Sequence, residues 1–340
     1  MSTLIIEPTA ISEIKAHPNA DLLEIAVVKG WQVITGKGNH KAGDVAIYVP
    51  PDSIVPLELS DKWDVTKYLS KQRVKAVRLR GEMSYGFLAP NDENFPVGEN
   101  VAEKLGITKY EPPEEVISGD RDRDHVLFHY YTNIENYRNY PDWFQDGETV
   151  TVTEKIHGTN SRVGMVIDDE NSEGKWLVGS HKTIKKMDKE SLYHKPLTDD
   201  MRAMVLHLKQ HWPEDVKSII VFGEIYGGGI QDLKYGSPAK HQYRCFDIAV
   251  NARYLNFNEV TALCAMYGID TVPELYRGAF SVEKMKALAS GTTVLVEKDP
   301  HIREGIVIKP VVERPTGQHR TVLKLINDDY LLRKKGTEKH

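Results

Sequence analysis

Between Ile25 and Pro50 the chain breaks into three short runs: Ile25-Ala26-Val27-Val28, Trp31-Gln32-Val33-Ile34-Thr35 and Val45-Ala46-Ile47-Tyr48-Val49-Pro50. Gly30, Gly36-Lys37-Gly38 and Gly43-Asp44 punctuate them. Runs of four to six β-branched and aromatic residues are too short for stable helices, and turns this tight leave each strand only its neighbours to pair with. Two more strands are expected at 73–79 and 86–89. Five short strands within the first 110 residues must close on one another to hide their edges, which predicts a small β-barrel.

Among such barrels the OB-fold suits five strands with tight turns best. His17-Pro18-Asn19-Ala20-Asp21-Leu22-Leu23 also resembles the opening of tRNA-binding OB domains. The chain has 340 residues, enough for a second domain. The polar, proline-containing stretch Glu-Pro-Pro-Glu-Glu-Val-Ile-Ser-Gly-Asp-Arg-Asp-Arg predicts a linker over 111–127, between a barrel at 1–110 and a second domain at 128–340. In that second part strands are expected at 150–153, 161–167, 175–180, 218–225, 243–251, 305–309 and 322–325, with helices near 198–211, 258–267 and 281–289. The overall class expected is α+β.

Hydrophobic content of 40% and charged content of 27% describe a folded, soluble chain. No apolar run approaches the roughly 20 residues of a membrane span, and the first residues have no secretory pattern. The two cysteines, Cys245 and Cys264, lack metal-ligand spacing and fit a reducing cytoplasm. The net charge of −5 excludes a basic surface overall. Residues 66–80, however, carry Lys67, Lys71, Arg73, Lys75, Arg78 and Arg80 with no acid, a stretch able to track a phosphate backbone. Nothing demands more than a monomer.

The second half opens on Thr153-Glu154-Lys155-Ile156-His157-Gly158-Thr159-Asn160. A lysine sits between a glutamate and a histidine, followed by a glycine turn. Lysine, with a reference pKa of about 10.4, is neutral in only roughly one side chain in two thousand at pH 7. Used as a nucleophile, it needs its pKa lowered by desolvation or nearby positive charge. Four further segments carry isolated polar residues on apolar strands, costly unless they face a cleft or a partner. They are Phe222-Gly223-Glu224, Phe246-Asp247, Glu304-Gly305-Ile306-Val307-Ile308-Lys309 and Leu323-Lys324-Leu325. Gly227-Gly228-Gly229 reads as a flexible turn, because no Gly-Lys-Ser/Thr follows as in a phosphate loop.

Glu154-Lys155-Ile156-His157-Gly158-Thr159-Asn160 resembles motif I of the covalent nucleotidyltransferases, specifically the nick-sealing RNA ligases. DNA ligases and GTP-using capping enzymes usually carry Asp at His157. The four segments are similar, in family order, to motifs III, IIIa, IV and V, and Tyr131-Thr132-Asn133-Ile134-Glu135-Asn136 to the lead-in of motif I. The resemblance covers about residues 128–335, a ligase domain of antiparallel sheets and helices, ATP-grasp-like. A leading OB domain resembles the RNA ligase group that includes the Deinococcus and Naegleria enzymes.

The resemblance implies an ATP-dependent enzyme with Mg²⁺ or Mn²⁺ that joins 3′-OH and 5′-phosphate ends of RNA or an RNA–DNA hybrid. Lys155 would form a lysyl-AMP intermediate. Glu154 and Phe246 would hold the adenine by its edge and face, and Glu224 the ribose. Glu304 would organise metal-bound water, with Asn160 near the metal and phosphates, and Lys324 would neutralise the α-phosphate. His157 completes the motif beside the nucleotide. Lys182 stands where relatives often carry an arginine, and lacks its bidentate fork. Relatives often have Lys-x-Lys in motif V. Here the second lysine is missing: either Lys324 suffices alone, or another cation, Lys309 or Arg320, compensates at the nucleotide. A non-catalytic OB-domain nucleic-acid-binding protein is the reading from another class, disfavoured by intact Lys155, Glu224 and Glu304.

Overall fold

The computed structural model describes residues 3–111, 119–170 and 172–333, so the middle of the expected linker lies outside the described residues. The chain forms two compact units. Of the described residues, the first takes 3–111, 135–142 and 328–333, and the second takes 119–134, 143–170 and 172–327.

In the first unit, Val45–Val49 is the central strand between Glu7–Ala10 and Phe87–Ala89, and Glu13–Ala16, Leu23–Val28 and Trp31–Gly36 form a meander. Side chains alternate across a strand, so one strand can feed two cores. Ile47 and Val49 pack with Ile6, Val55, Val74 and Ala89, while Tyr48, between them, packs with Ile11, Ala26, Val28 and Val33. The turn at Gly30 is a two-residue hairpin in which Lys29 (φ 51) and Gly30 (φ 78) are both left-handed, matching the twist of paired strands. Arg80 (φ 49) and Gly81 (φ 97) repeat the device between Ala76–Leu79 and Glu82–Tyr85. The strands of residues 7–10, 13–16 and 82–85 were not expected, because Glu7-Pro8-Thr9-Ala10, Glu13-Ile14-Lys15-Ala16 and Glu82-Met83-Ser84-Tyr85 are short and each carries a single β-branched or aromatic residue.

The second unit holds two antiparallel sheets. One runs, in spatial order, Ile184–Lys185, Lys175–Ser180, Thr159–Val166, Ser218–Gly227, His241–Val250 and Arg253–Tyr254. In the other, Leu323–Ile326, Gly305–Pro310, Thr149–Lys155 and Glu274–Ala279 are successive neighbours. The expected helices appear as Asp199–His211, Phe257–Met266 and Val282–Ala289. Thr198 caps the first by accepting from Met201 N, and Met201, Met204, Val205 and Leu208 bury its apolar stripe. The Glu274–Ala279 strand escaped the sequence pattern because it is an edge strand, without a buried residue. No helix among the described residues is long and apolar enough to cross a membrane.

One consequence of this topology governs the site. Thr149–Lys155 belongs to one sheet and Thr159–Val166 to the other, so the Ile156-His157-Gly158 segment is where the chain passes between them.

Candidate active site

That crossing brings both sheets' polar residues to one place. Lys155 pairs with Gly305 across the strands, so Glu304 lies beside it, and Lys155 Nζ reaches Glu304 Oε1 at 2.6 Å. On the other sheet Asn160 pairs with Glu224. Gly158 N donates to Glu224 Oε1 at 3.1 Å. This close approach requires glycine: a Cβ on Gly158 would stand 2.2 Å from Ile225 O and 2.9 Å from Glu224 Cγ.

The electrostatics correct one expectation. Burial pulls the Lys155 pKa down, but the Glu304 and Glu224 carboxylates outweigh it, and the lysine is held above its ordinary value. Glu224 is pushed up to about 8 by burial and by the Glu304 charge, against the pull of Lys155 and the Gly158 N–H. The protein alone therefore keeps Lys155 as an ammonium ion paired with Glu304. Use of Lys155 as a nucleophile would need positive charge from outside the chain.

His157 is hydrogen-bonded at two points and stands near a third group. Its N donates to Tyr235 Oη at 2.6 Å, its Nε2 lies 3.0 Å from Asp232 Oδ1, and its Nδ1 lies 4.0 Å from Glu304 Oε2. Gln231 Nε2 donates to Gly158 O at 3.1 Å. The sequence reading missed Gln231, Asp232 and Tyr235, which follow the triple glycine. Left-handed Gly227 (φ 111) and Gly229 (φ 78) turn this segment back onto the Lys155 crossing, so it is a clamp and not a loose turn. Its signal, four polar residues in five, is too common to have singled it out.

Glu154 is 1% exposed, accepts Val294 N on Oε2 at 3.0 Å and faces Arg303 Nε at 3.6 Å. Phe246 is the unpaired residue of a β-bulge, since Phe222 pairs with Asp247 and Gly223 with Cys245. The bulge turns two consecutive side chains the same way. Phe246 meets the Tyr131 ring at 4.8 Å, and Asp247 accepts the Tyr131 hydroxyl. Lys324 pairs with Val307, two positions along from Gly305, which puts it on the Lys155 face of its sheet. Lys182 lies in a turn closed by Ser180 N donating to Thr183 O at 2.9 Å and Thr183 N to Ser180 Oγ at 3.1 Å, and Ser180 pairs with Ser161, next to Asn160.

Lys309 and Arg320 are not brought to Lys155. Lys309 pairs with Thr151, four residues or about 13 Å along the strand from Lys155. Its Nζ donates to Asp247 Oδ2 and Phe246 O, both at 2.8 Å, and Arg320 binds Asp247 at 2.9 and 3.0 Å. Burial lowers the Lys309 pKa, while Arg320 and Lys309 together overcome burial to hold Asp247 down at about 2. These cations support the Phe246 strand; the expected phosphate role is corrected.

Three acceptor oxygens in this region, Glu154 Oε1, Asn160 Oδ1 and Glu304 Oε2, are buried without a hydrogen-bond partner. Folded proteins rarely leave such atoms open except where a ligand supplies the donors. Among the described residues no three His, Cys, Asp or Glu side chains form a metal cage. A cation here would keep its waters and be held through them and through phosphate, as Mg²⁺ prefers.

The RNA ligase family model matches residues 148–326, which contain this whole constellation. The chain belongs to the RNA ligase family. An OB-fold domain model matches residues 6–91, within the barrel unit. No protein of curated function matches in sequence. Solved structures of Naegleria gruberi RNA ligase are similar over nearly the whole chain. An arginine-to-alanine variant with ATP and Mn is 25% identical, covers 97% of this chain and 98% of its own, with a TM-score of 0.78. A glutamate-to-alanine variant with AMP and Mn gives 25%, 97%, 98% and 0.76, and the ligase with pyrophosphate 25%, 97%, 98% and 0.73. The α+β architecture expected from sequence, an OB-fold barrel ahead of a sheet-rich ligase unit, is the one observed.

In the barrel, the basic stretch divides. Lys67 pairs with Asp64 at 2.9 Å, and Arg73 pairs with Asp52 at 2.6 Å while covering the Tyr110 ring at 3.5 Å. Arg78, exposed, reaches Asp329 at 3.4 Å, and Lys71, Lys75 and Arg80 are exposed.

Proposed function

We propose that this RNA ligase uses ATP to seal 3′-OH/5′-phosphate breaks in RNA or an RNA–DNA hybrid through a lysyl-AMP intermediate. The observation that carries the reading is Lys155 held 2.6 Å from Glu304, beside buried acceptors that lack donors. The similar Naegleria structures with ATP, AMP, pyrophosphate and manganese match the substrates and products of such a reaction.

In this reading Lys155 Nζ attacks the α-phosphorus of ATP, the bond to pyrophosphate breaks, and AMP stays on the lysine. AMP then passes to the 5′-phosphate of the break, and the 3′-OH attacks that activated phosphate and releases AMP. All three are displacements at phosphorus, where positioning and charge neutralisation supply most of the rate. A bound Mg²⁺ or Mn²⁺ supplies the positive charge that favours neutral lysine and offsets phosphate charge. Glu304 and Asn160 would hold its water shell. Glu154 accepts from the adenine edge and Phe246 covers its face. Glu224, largely protonated near neutral pH, can both donate to and accept from the ribose hydroxyls. Lys324 and Lys182 face the phosphates and the ribose, and His157 fixes the crossing that presents Lys155.

The test is incubation with Mg²⁺ and α-labelled ATP or GTP, followed by acid precipitation. Label from ATP, lost in Lys155→Ala, is expected. Label from GTP alone points to a capping enzyme, and no label at all sinks the enzymatic reading.

A further inference from the structure

Resting on that reading, we propose that the exposed ring of Tyr130 is a stacking platform for a nucleobase of the RNA flanking the break. Tyr130 is 50% exposed, yet it is not a loose surface ring. Beneath it lies the guanidinium of Arg162, 4.7 Å from the ring centroid. Arg162 is 0% exposed. Its Nε donates to Ser180 O at 2.8 Å and its Nη1 to Phe128 O at 2.7 Å, while Nη2 has no partner. No carboxylate of the described residues lies within ion-pair distance of it. A buried cation without an anion is expensive, and burial lowers its pKa to about 10. Two carbonyls and the Phe128 and Tyr130 ring faces are what it has, so the guanidinium holds the tyrosine in place.

The neighbours of Tyr130 are fixed too. His129 packs on Phe222 at 5.6 Å, and Tyr131 is bonded to Asp247. At the flank, the His181 ring lies 6.4 Å from Tyr130, in the same turn as Lys182. The residue beneath the platform shares its strand with the candidate site: Arg162 is two residues, about 7 Å, along the strand from Asn160, and pairs with Phe222, two residues before Glu224. A ring that is rigid, backed by a cation and open on its outer face is what base stacking requires, and every base offers a π-face to it. Because the adenine of ATP is assigned to Phe246, the occupant here is a base of the RNA.

The test compares Tyr130→Ala, Tyr130→Phe and Tyr130→Trp with the unaltered protein on nicked RNA duplexes. Alanine should raise the KM for RNA, and the Kd measured by fluorescence anisotropy, by about tenfold, a mid-range loss for one stacked base. Phenylalanine and tryptophan should restore both. The rate of Lys155 adenylylation should not change. An abasic nucleotide at the break should weaken the unaltered protein and leave the alanine variant unaffected. Unchanged KM and Kd in Tyr130→Ala overturn the inference, as does a parallel fall in adenylylation, which would assign the ring to ATP or to the fold. Absence of lysyl-AMP in the unaltered protein strikes the ligase reading instead, and the binding comparison still decides the platform.

Discussion

Asp247→Asn is the most informative single change to the ligase unit. The carboxylate is 0% exposed and accepts from the Tyr131 hydroxyl, Lys309 Nζ at 2.8 Å, and Arg320 Nη1 and Nη2 at 2.9 and 3.0 Å. Arg320 is also bound by Glu313 at 2.5 and 2.8 Å. The group thus holds two cations and two anions, with side-chain exposures of 2% for Lys309, 8% for Arg320, 0% for Asp247 and 14% for Glu313. Asparagine keeps the shape and leaves one net positive charge buried, which costs about 3–5 kcal/mol. That is a large part of the roughly 5–15 kcal/mol holding a domain folded. Adding Lys309→Met restores neutrality at similar volume, so the double variant should regain about 2 kcal/mol over the additive sum. The assay is urea unfolding followed by the fluorescence of Trp143, Trp176 and Trp212 in the ligase unit. Losses that add to within about 0.5 kcal/mol would refute coupling through charge. The acid limb gives an independent check. Asp247 is depressed to about 2 in the folded chain, so its contribution is complete above the unfolded value near 4 and is lost as pH falls from about 4 to about 2. Asp247→Asn should abolish that part of the acid destabilisation, worth about 2 kcal/mol.

Three further outcomes follow from the geometry. Gly158→Ala, whose Cβ would meet Ile225 O at 2.2 Å, should lower lysine adenylylation at least ~100-fold and destabilise the ligase unit by about 1–3 kcal/mol in the same urea assay. In the protein without nucleotide, Lys155 should react with an amine reagent at pH 8 more slowly than exposed Lys71. Glu304→Gln should speed that reaction, because burial then lowers the Lys155 pKa with less opposition, and mass spectrometry of the labelled peptides across pH reads the difference. Asp232→Ala removes the acceptor 3.0 Å from His157 Nε2 and should cost about 1 kcal/mol, with a several-fold drop in adenylylation that Asp232→Asn largely spares.

Local pattern made the architecture, an OB-fold barrel ahead of a sheet-rich ligase unit, legible. Short β-branched runs between glycines can only pair with their neighbours, and isolated polar residues on apolar strands mark positions that face a partner. Lys155, Glu224, Glu304 and Lys324 are candidates on that ground, and the family resemblance gave them an order. Tertiary structure alone decided what each charge touches. Lys309 and Arg320 look in sequence like spare phosphate ligands, yet strand register carries Lys309 about 13 Å from Lys155, and both cations are sealed on Asp247. Asp232 and Tyr235 look like turn residues, but two left-handed glycines fold them onto His157. The protonation of Lys155 was also beyond the sequence. Nucleophilic use suggests a lowered pKa, but the sign depends on whether burial or two carboxylates from other strands dominates, and that balance is set by distances only the folded chain fixes.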